Sequence, residues 1–280
     1  MSSVPKRSLV FITTFIFILS MGLSAWAADQ ENVLLMATTT STDNTGLLDY
    51  LMPKFKQATG IEVRWTATGT GKALKLGENC DADVLMVHAP SAEMKFVDAG
   101  FGRDRHEIMY NDFVIIGPAK DPAGIKGKSI KDALKTVKEK QALFVSRGDN
   151  SGTHKKELSL WKAADMPVPD KESWYLQTGQ GMLATINVAA ERDGYTMTDR
   201  GTYIKYEDTK GGNPPLKILV EGDKVLLNQY SVIAVDPKHC SKVKYEMTKK
   251  FIAWITGKQA QQDIENYKLL GKQLFTANAK

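Results

Sequence analysis

Apolar and polar positions along this chain follow a repeating strand–helix rhythm. Residues 33–37 form a short apolar run that ends in the hydroxyl-rich stretch 38–42, Thr-Thr-Thr-Ser-Thr. Residues 44–58 then carry Leu47, Leu48, Leu51 and Phe55 at helical spacing, with Pro53 predicting a kink and Gly60 a stop. Residues 61–65 and 83–87 read as strands. Between them a polar, glycine-bearing loop at 66–71 leads into a short helix, and residues 91–99 read as a third helix. Further strands are expected at 110–116, 141–145, 195–198, 217–220 and 230–235. Helices are expected at 129–140, from Lys155 through Trp161, and at 181–192, 199–206, 243–256 and 259–269. Residues 209–215, with two glycines and two prolines, read as a surface loop.

Strands alternating with helices predict an α/β fold with a parallel sheet, in which ligands bind off the carboxyl ends of the strands. Two α/β lobes joined by crossing strands account for the order of elements. Residues 111–114 and 227–231 are the expected crossings. Lobe I is then residues 28–111 with 230–280, and lobe II is residues 112–229. Hinge closure of the lobes around a ligand follows from that arrangement.

The first residues are read as a leader rather than as part of the fold. Lys6 and Arg7 make a basic start, residues 9–23 are apolar, and Ala25-Trp26-Ala27 fits the small-residue cleavage rule. Residues 1–27 are therefore expected to be a signal peptide, placing the remainder outside the cytoplasm, most simply in a periplasm. A retained membrane anchor is the competing reading, and the apolar run is short for a span. Losing Lys6 and Arg7 lowers the formal charge of +5 by two, which is nearly neutral for a chain of this size. The lysines are dispersed among acids, so nucleic acid is excluded as the expected partner. Cys80 and Cys240 are the two cysteines. In an oxidising compartment they can pair and clip an early loop to the C-terminal region; two separate buried thiols is the alternative.

The chemistry concentrates in residues 146–154, Ser-Arg-Gly-Asp-Asn-Ser-Gly-Thr-His. This stretch joins a strand to a helix, so it places Arg147, Ser151, Thr153 and unpaired backbone N–H groups at a helix N-terminus, where an anion is favoured. The hydroxyls of Thr38, Thr39, Ser41 and Thr68 sit in two comparable loops, and Gly69 lets the backbone approach a ligand closely. A buried unpaired dianion is disfavoured by roughly tens of kcal/mol. Charge-assisted hydrogen bonds return about 1.5–3 kcal/mol each, so many donors must converge. Helix capping explains one hydroxyl per helix, but not three loops enriched together. Asp149 is expected to pair with Arg147 and orient it. His88 and His154 can each donate to the anion; a structural role is expected for His88, while His154 is counted among the donors. No nucleophile elbow occurs around Ser151, and Gly69-Thr70-Gly71-Lys72 lacks the earlier glycine and the final hydroxyl of a P-loop, so an enzyme is not expected.

Residues 38–42 with 45–51, 82–84 with 87–90, 146–154, 198–203 and 227–230 resemble TupA-type tungstate-binding proteins over essentially the whole chain after residue 27. That resemblance implies a two-lobed type II periplasmic binding protein, with two mixed α/β sheets joined by hinge strands. It implies a monomeric receptor that delivers tungstate to an ABC permease and its cytoplasmic ATPase, with no cofactor and no bound metal cation. The implied oxyanion site comprises Thr38, Thr39, Ser41, Thr68, Gly69, Arg147, Ser151, Thr153 and His154. Residues 147–153 also resemble the Arg-x-Asp-x-Ser-Gly-Thr pattern of phosphate-binding proteins. Those receptors present a carboxylate acceptor for the proton of phosphate, and here His88 stands in the comparable position. A donor-only cage suits tungstate, molybdate or sulfate. A sensor ectodomain or a phosphate-ester enzyme with the same fold is the alternative of a different class.

Overall fold

The computed structural model describes residues 32–280, so the leader read from residues 1–27 lies outside the described residues. In chain order the elements begin β1 (Val33–Thr39), α1 (Thr40–Asp43), α2 (Leu47–Thr59), β2 (Glu62–Thr68), α3 (Thr70–Glu78), β3 (Val84–Val87), α4 (Pro90–Asp98) and β4 (Gly102–Pro118). Then follow α5 (Ile130–Glu139), β5 (Phe144–Ser146), α6 (Gly152–Ala163), β6 (Tyr175–Gln177), α7 (Met182–Glu191), β7 (Thr196–Asp199), α8 (Arg200–Thr209) and β8 (Leu216–Val220). The chain finishes with β9 (Leu227–Val235), α9 (Tyr245–Ile255), α10 (Lys258–Asn266), β10 (Lys268–Leu269), β11 (Lys272–Gln273) and β12 (Thr276–Ala277).

β1 lies parallel between β2 and β3. β3 then meets β9, and β9 meets β4, both antiparallel. The sheet is therefore mixed rather than purely parallel, because β9 arrives from a distant part of the chain and runs opposite to both of its neighbours. β4 serves both lobes. Its first part pairs with β9, and from Phe113 onward it pairs with β7 and β8. Ile108 and Met109 accordingly pack with Leu34, Phe55 and Phe251, while Phe113 and Ile115 pack with Phe144 and Trp161. β9 makes the second crossing. Leu226, just before it, belongs to the Phe113 cluster and Tyr230 to the Phe55 cluster.

α2 runs through Pro53 as one helix up to the Gly60 stop. Pro53 is on the exposed side, where water can take up the carbonyl that loses its N–H partner. The last predicted helix stops at Asn266 instead of residue 269. Tyr267 turns extended with its hydroxyl donating to Thr45 O at 2.6 Å, and Leu269 pairs with Lys272 in a short hairpin. β4 starts at Gly102, eight residues before the apolar pattern begins, because β9 supplies hydrogen bonds to a charged segment with no strand signature. Cys80 and Cys240 form a disulfide, joining the turn after α3 to the segment before α9. This is the pairing expected for an oxidising compartment.

Candidate functional site

A cavity of about 890 Å³ lies between the lobes. One wall comes from the ends of β1 and β2, with Thr39, Thr40, Ser41, Thr68, Gly69 and Thr70. The other comes from the loop into α6, with Arg147, Asp149, Asn150, Ser151, Gly152 and Thr153, together with the N-termini of α7 and α8. Thr39, Ser41, Thr68, Gly69, Arg147, Ser151 and Thr153 of the expected site thus come together although they are spread over more than a hundred residues of chain.

Two expected members do not line the cavity. Thr38 is fully buried, and its hydroxyl donates to Met86 O at 2.8 Å, locking β1 to β3. Strand alternation points it away from its neighbour Thr39. His154 sits one turn into α6, and its Nδ1 accepts from Asn150 N at 3.0 Å, so it braces the loop from behind. Conversely, His88 and Asp199 border the cavity. His88 is the residue for which the sequence suggests a structural role, and Asp199 is the first residue of the helix expected at 199–206.

Capping and lining are not exclusive here. Thr39 Oγ1 accepts from Thr42 N at 3.3 Å as the cap of α1, and Ser151 Oγ accepts from His154 N at 3.3 Å as the cap of α6. Both residues nevertheless face the cavity. Asp199 caps α8, with Oδ1 accepting from Thr202 N at 2.9 Å and Oδ2 from the Thr202 hydroxyl at 2.6 Å.

The arginine loop is held from several directions. Arg147 Nη2 donates to Asp149 Oδ2, while Asp149 Oδ1 accepts from Ser151 N at 3.1 Å. Burial pushes the Asp149 carboxyl up, but its hydrogen bonds from Ser151 and the Arg147 charge bring it below the usual carboxylate range. Arg147 Nε is buried and has no hydrogen-bond partner among the described residues. Gly148 has φ +60, and a Cβ there would meet Gln177 Cβ at 2.8 Å, so both backbone and space demand glycine. Beneath the loop, buried Glu157 accepts from Ser146 Oγ at 2.6 Å, Tyr175 Oη at 2.6 Å and Trp161 Nε1 at 3.1 Å. Burial raises its pKa, yet three converging donors suit the ionised form.

On the opposite wall His88 stacks on Tyr230 with ring centroids 4.8 Å apart. Its Nδ1 is 3.0 Å from Asn228 Oδ1, and its Nε2 is 3.0 Å from Ser41 Oγ and 3.1 Å from Thr39 Oγ1. Burial lowers its pKa, opposed by the Asn228 hydrogen bond and the Asp199 charge. The cavity therefore combines hydroxyl donors, a helix N-terminus and a guanidinium with one unpaired buried nitrogen. Two carboxylates also border it, so it is not built of donors alone; both are already engaged by protein donors. Such a site can hold a small oxyanion.

Comparison with known proteins agrees with this geometry. The family model described as "PBP superfamily domain" matches residues 24–259. The chain is 53% identical over 240 residues to the tungstate-binding protein TupA of Campylobacter jejuni, covering 86% of this chain and 89% of that protein. Among solved structures, the tungstate-binding protein TupA from Desulfovibrio alaskensis superposes with a TM-score of 0.86 at 67% identity, covering 89% of this chain and 99% of that one. The tungstate ABC transporter structure from Geobacter sulfurreducens gives a TM-score of 0.74 at 49% identity, over 85% and 99% of the two chains. The chain belongs to the periplasmic-binding-protein superfamily and, within it, to the TupA family.

Proposed function

We propose that this protein is the periplasmic receptor for tungstate that feeds an ABC permease and its ATPase. The observation that carries the reading is Arg147: it lines the interlobe cavity, is oriented by Asp149, and keeps a buried Nε without a partner among the described residues. A desolvated donor of this kind is stabilised by an anion. Thr39, Ser41, Thr68, Gly69, Ser151 and Thr153 supply the remaining hydroxyl and backbone donors. The lobes divide at residues 111/112 and 229/230, and closure over the anion excludes water. The receptor acts as a monomer, is released by cleavage after Ala27, and carries out no reaction on its cargo.

Phosphate is disfavoured because His88 stands where an ionised acceptor is needed, and because Asp149 and Asp199 are already engaged. Tungstate and molybdate are close in size and charge, so the names of the relatives favour tungstate. A calorimetric panel of tungstate, molybdate, sulfate and phosphate tests the proposal. Tungstate should bind most tightly, and tighter binding of phosphate would overturn it.

A further inference from the structure

His88 presents two ring nitrogens to two different sets of partners. Asn228 Nδ2 donates to Asn111 Oδ1 at 2.8 Å and to Tyr230 Oη at 3.2 Å, which leaves Asn228 Oδ1 facing His88. His88 Nδ1 therefore carries the hydrogen, and in a neutral ring Nε2 is an acceptor. The donors within reach of Nε2 are the hydroxyls of Ser41 and Thr39. One of those hydroxyl hydrogens is thus held on the imidazole, not on the cavity side.

A dianion in the cavity asks for both hydroxyl hydrogens. If Ser41 and Thr39 turn to it, the Nε2 lone pair is buried with no donor, an unsatisfied state that opposes binding. Adding one proton at Nε2 removes the conflict. Nε2–H then donates to Ser41 or Thr39 oxygen, both hydroxyl hydrogens are released to the anion, and the ring adds a positive charge beside it. The groups around the ring permit this. Asp199 at the end of β7 favours the cation electrostatically, Tyr230 on β9 stacks on it, and Asn228 still accepts at Nδ1. The Arg147–Asp149 pair lies on the opposite wall of the same cavity.

We propose that His88 is a binding residue of this site that takes up a proton at Nε2 as the dianion enters, becoming a second cationic donor alongside Arg147. The proposal rests on the oxyanion reading above. The proton comes from solvent and is returned on release. Because the complex binds the proton more tightly than the empty protein, affinity should rise as pH falls through the window between the two His88 pKa values. It should level off on either side of that window.

Calorimetric titration of the full protein with sodium tungstate, from about pH 8.5 to about pH 6.5 in buffers of different ionisation enthalpy, reads the effect directly. The expected result is uptake of up to one proton per anion and a Kd that tightens by up to about tenfold per pH unit. His88→Gln, which retains a donor that cannot ionise, should still bind but with no proton uptake and no pH dependence. Asn228→Asp, with a carboxylate facing Nδ1, should charge His88 in the empty protein and so abolish uptake while tightening binding at the alkaline end. Tight, pH-independent binding to the unaltered protein without proton uptake would overturn the assignment, indicating a tautomer exchange instead. Absence of tungstate binding at every pH would overturn the oxyanion reading itself.

Discussion

Asn228 Nδ2 donates to Asn111 Oδ1 at 2.8 Å, linking the two strands that cross between the lobes. The residues are 117 apart in sequence but are register partners on β9 and β4. Both are buried, so removing one leaves the other unsatisfied. Asn111→Ala and Asn228→Ala should each destabilise by about 1–3 kcal/mol in chemical denaturation. The double variant should lose less than the sum of the two, and strict additivity would show that the pair is not coupled.

Arg147→Ala should lower tungstate affinity by roughly a hundredfold or more, given about 1.5–3 kcal/mol for each charge-assisted bond it can make. The thermal transition of the anion-free protein should change little. Arg147→Lys should recover only part of the affinity, because an ammonium cannot reproduce the planar fork. Unchanged calorimetric binding by Arg147→Ala would remove it from the site.

Asp149→Asn keeps the shape of the loop but releases Arg147 from its ion pair. About a tenfold weaker anion affinity is expected, on the scale of one partly exposed charged contact. The native Asp149 carboxyl titrates below its ordinary value. Its contribution to stability is therefore present above the ordinary aspartate range and is lost as pH falls through the depressed value. Acid melts of the two proteins should diverge least at the lowest pH, and a constant difference down to strong acid would contradict this.

Thr38 and Ser41 have separable roles, one in the sheet and one at the cavity. Thr38→Val removes a buried donor to Met86 O, so it should cost about 0.5–1.5 kcal/mol of stability while leaving affinity unchanged. Ser41→Ala should do the reverse, weakening the anion with little effect on the melt. Equal affinity losses in both would restore Thr38 to the site.

Reduction of the Cys80–Cys240 disulfide, or paired replacement by serine, frees a closed loop spanning 160 residues of sequence. A loss of about 2–5 kcal/mol is expected from the added freedom of the unfolded chain. Melts with and without reductant measure it. Neither cysteine lines the cavity, so saturated tungstate binding below the transition should persist.

Much of this was legible in the chain itself. Leu47, Leu48, Leu51 and Phe55 announce α2 by period alone, and Ser151-Gly152-Thr153 marks the start of α6 by cap chemistry and lost strand pattern. The arginine loop and the two hydroxyl-rich strand ends could be singled out because capping does not need so many hydroxyls. What could not be read was which of adjacent hydroxyls faces the ligand. Thr38 and Thr39 are chemically alike, and only the pleat of β1 sends one to Met86 and the other to the cavity. His154 likewise lies in the motif yet turns to Asn150.

By itself, the sequence determined the alternation of strands and helices, the caps, and the loop that offers its donors at a helix N-terminus, because these depend on interactions within a few residues. The tertiary structure decided the rest. It carried the charged start of β4 into a sheet through β9, it set Asn111 against Asn228, and it brought His88 and Asp199 to a cavity whose walls lie far apart in the chain. Each of those outcomes depends on hydrogen bonds between distant segments, whose pairing no local pattern encodes.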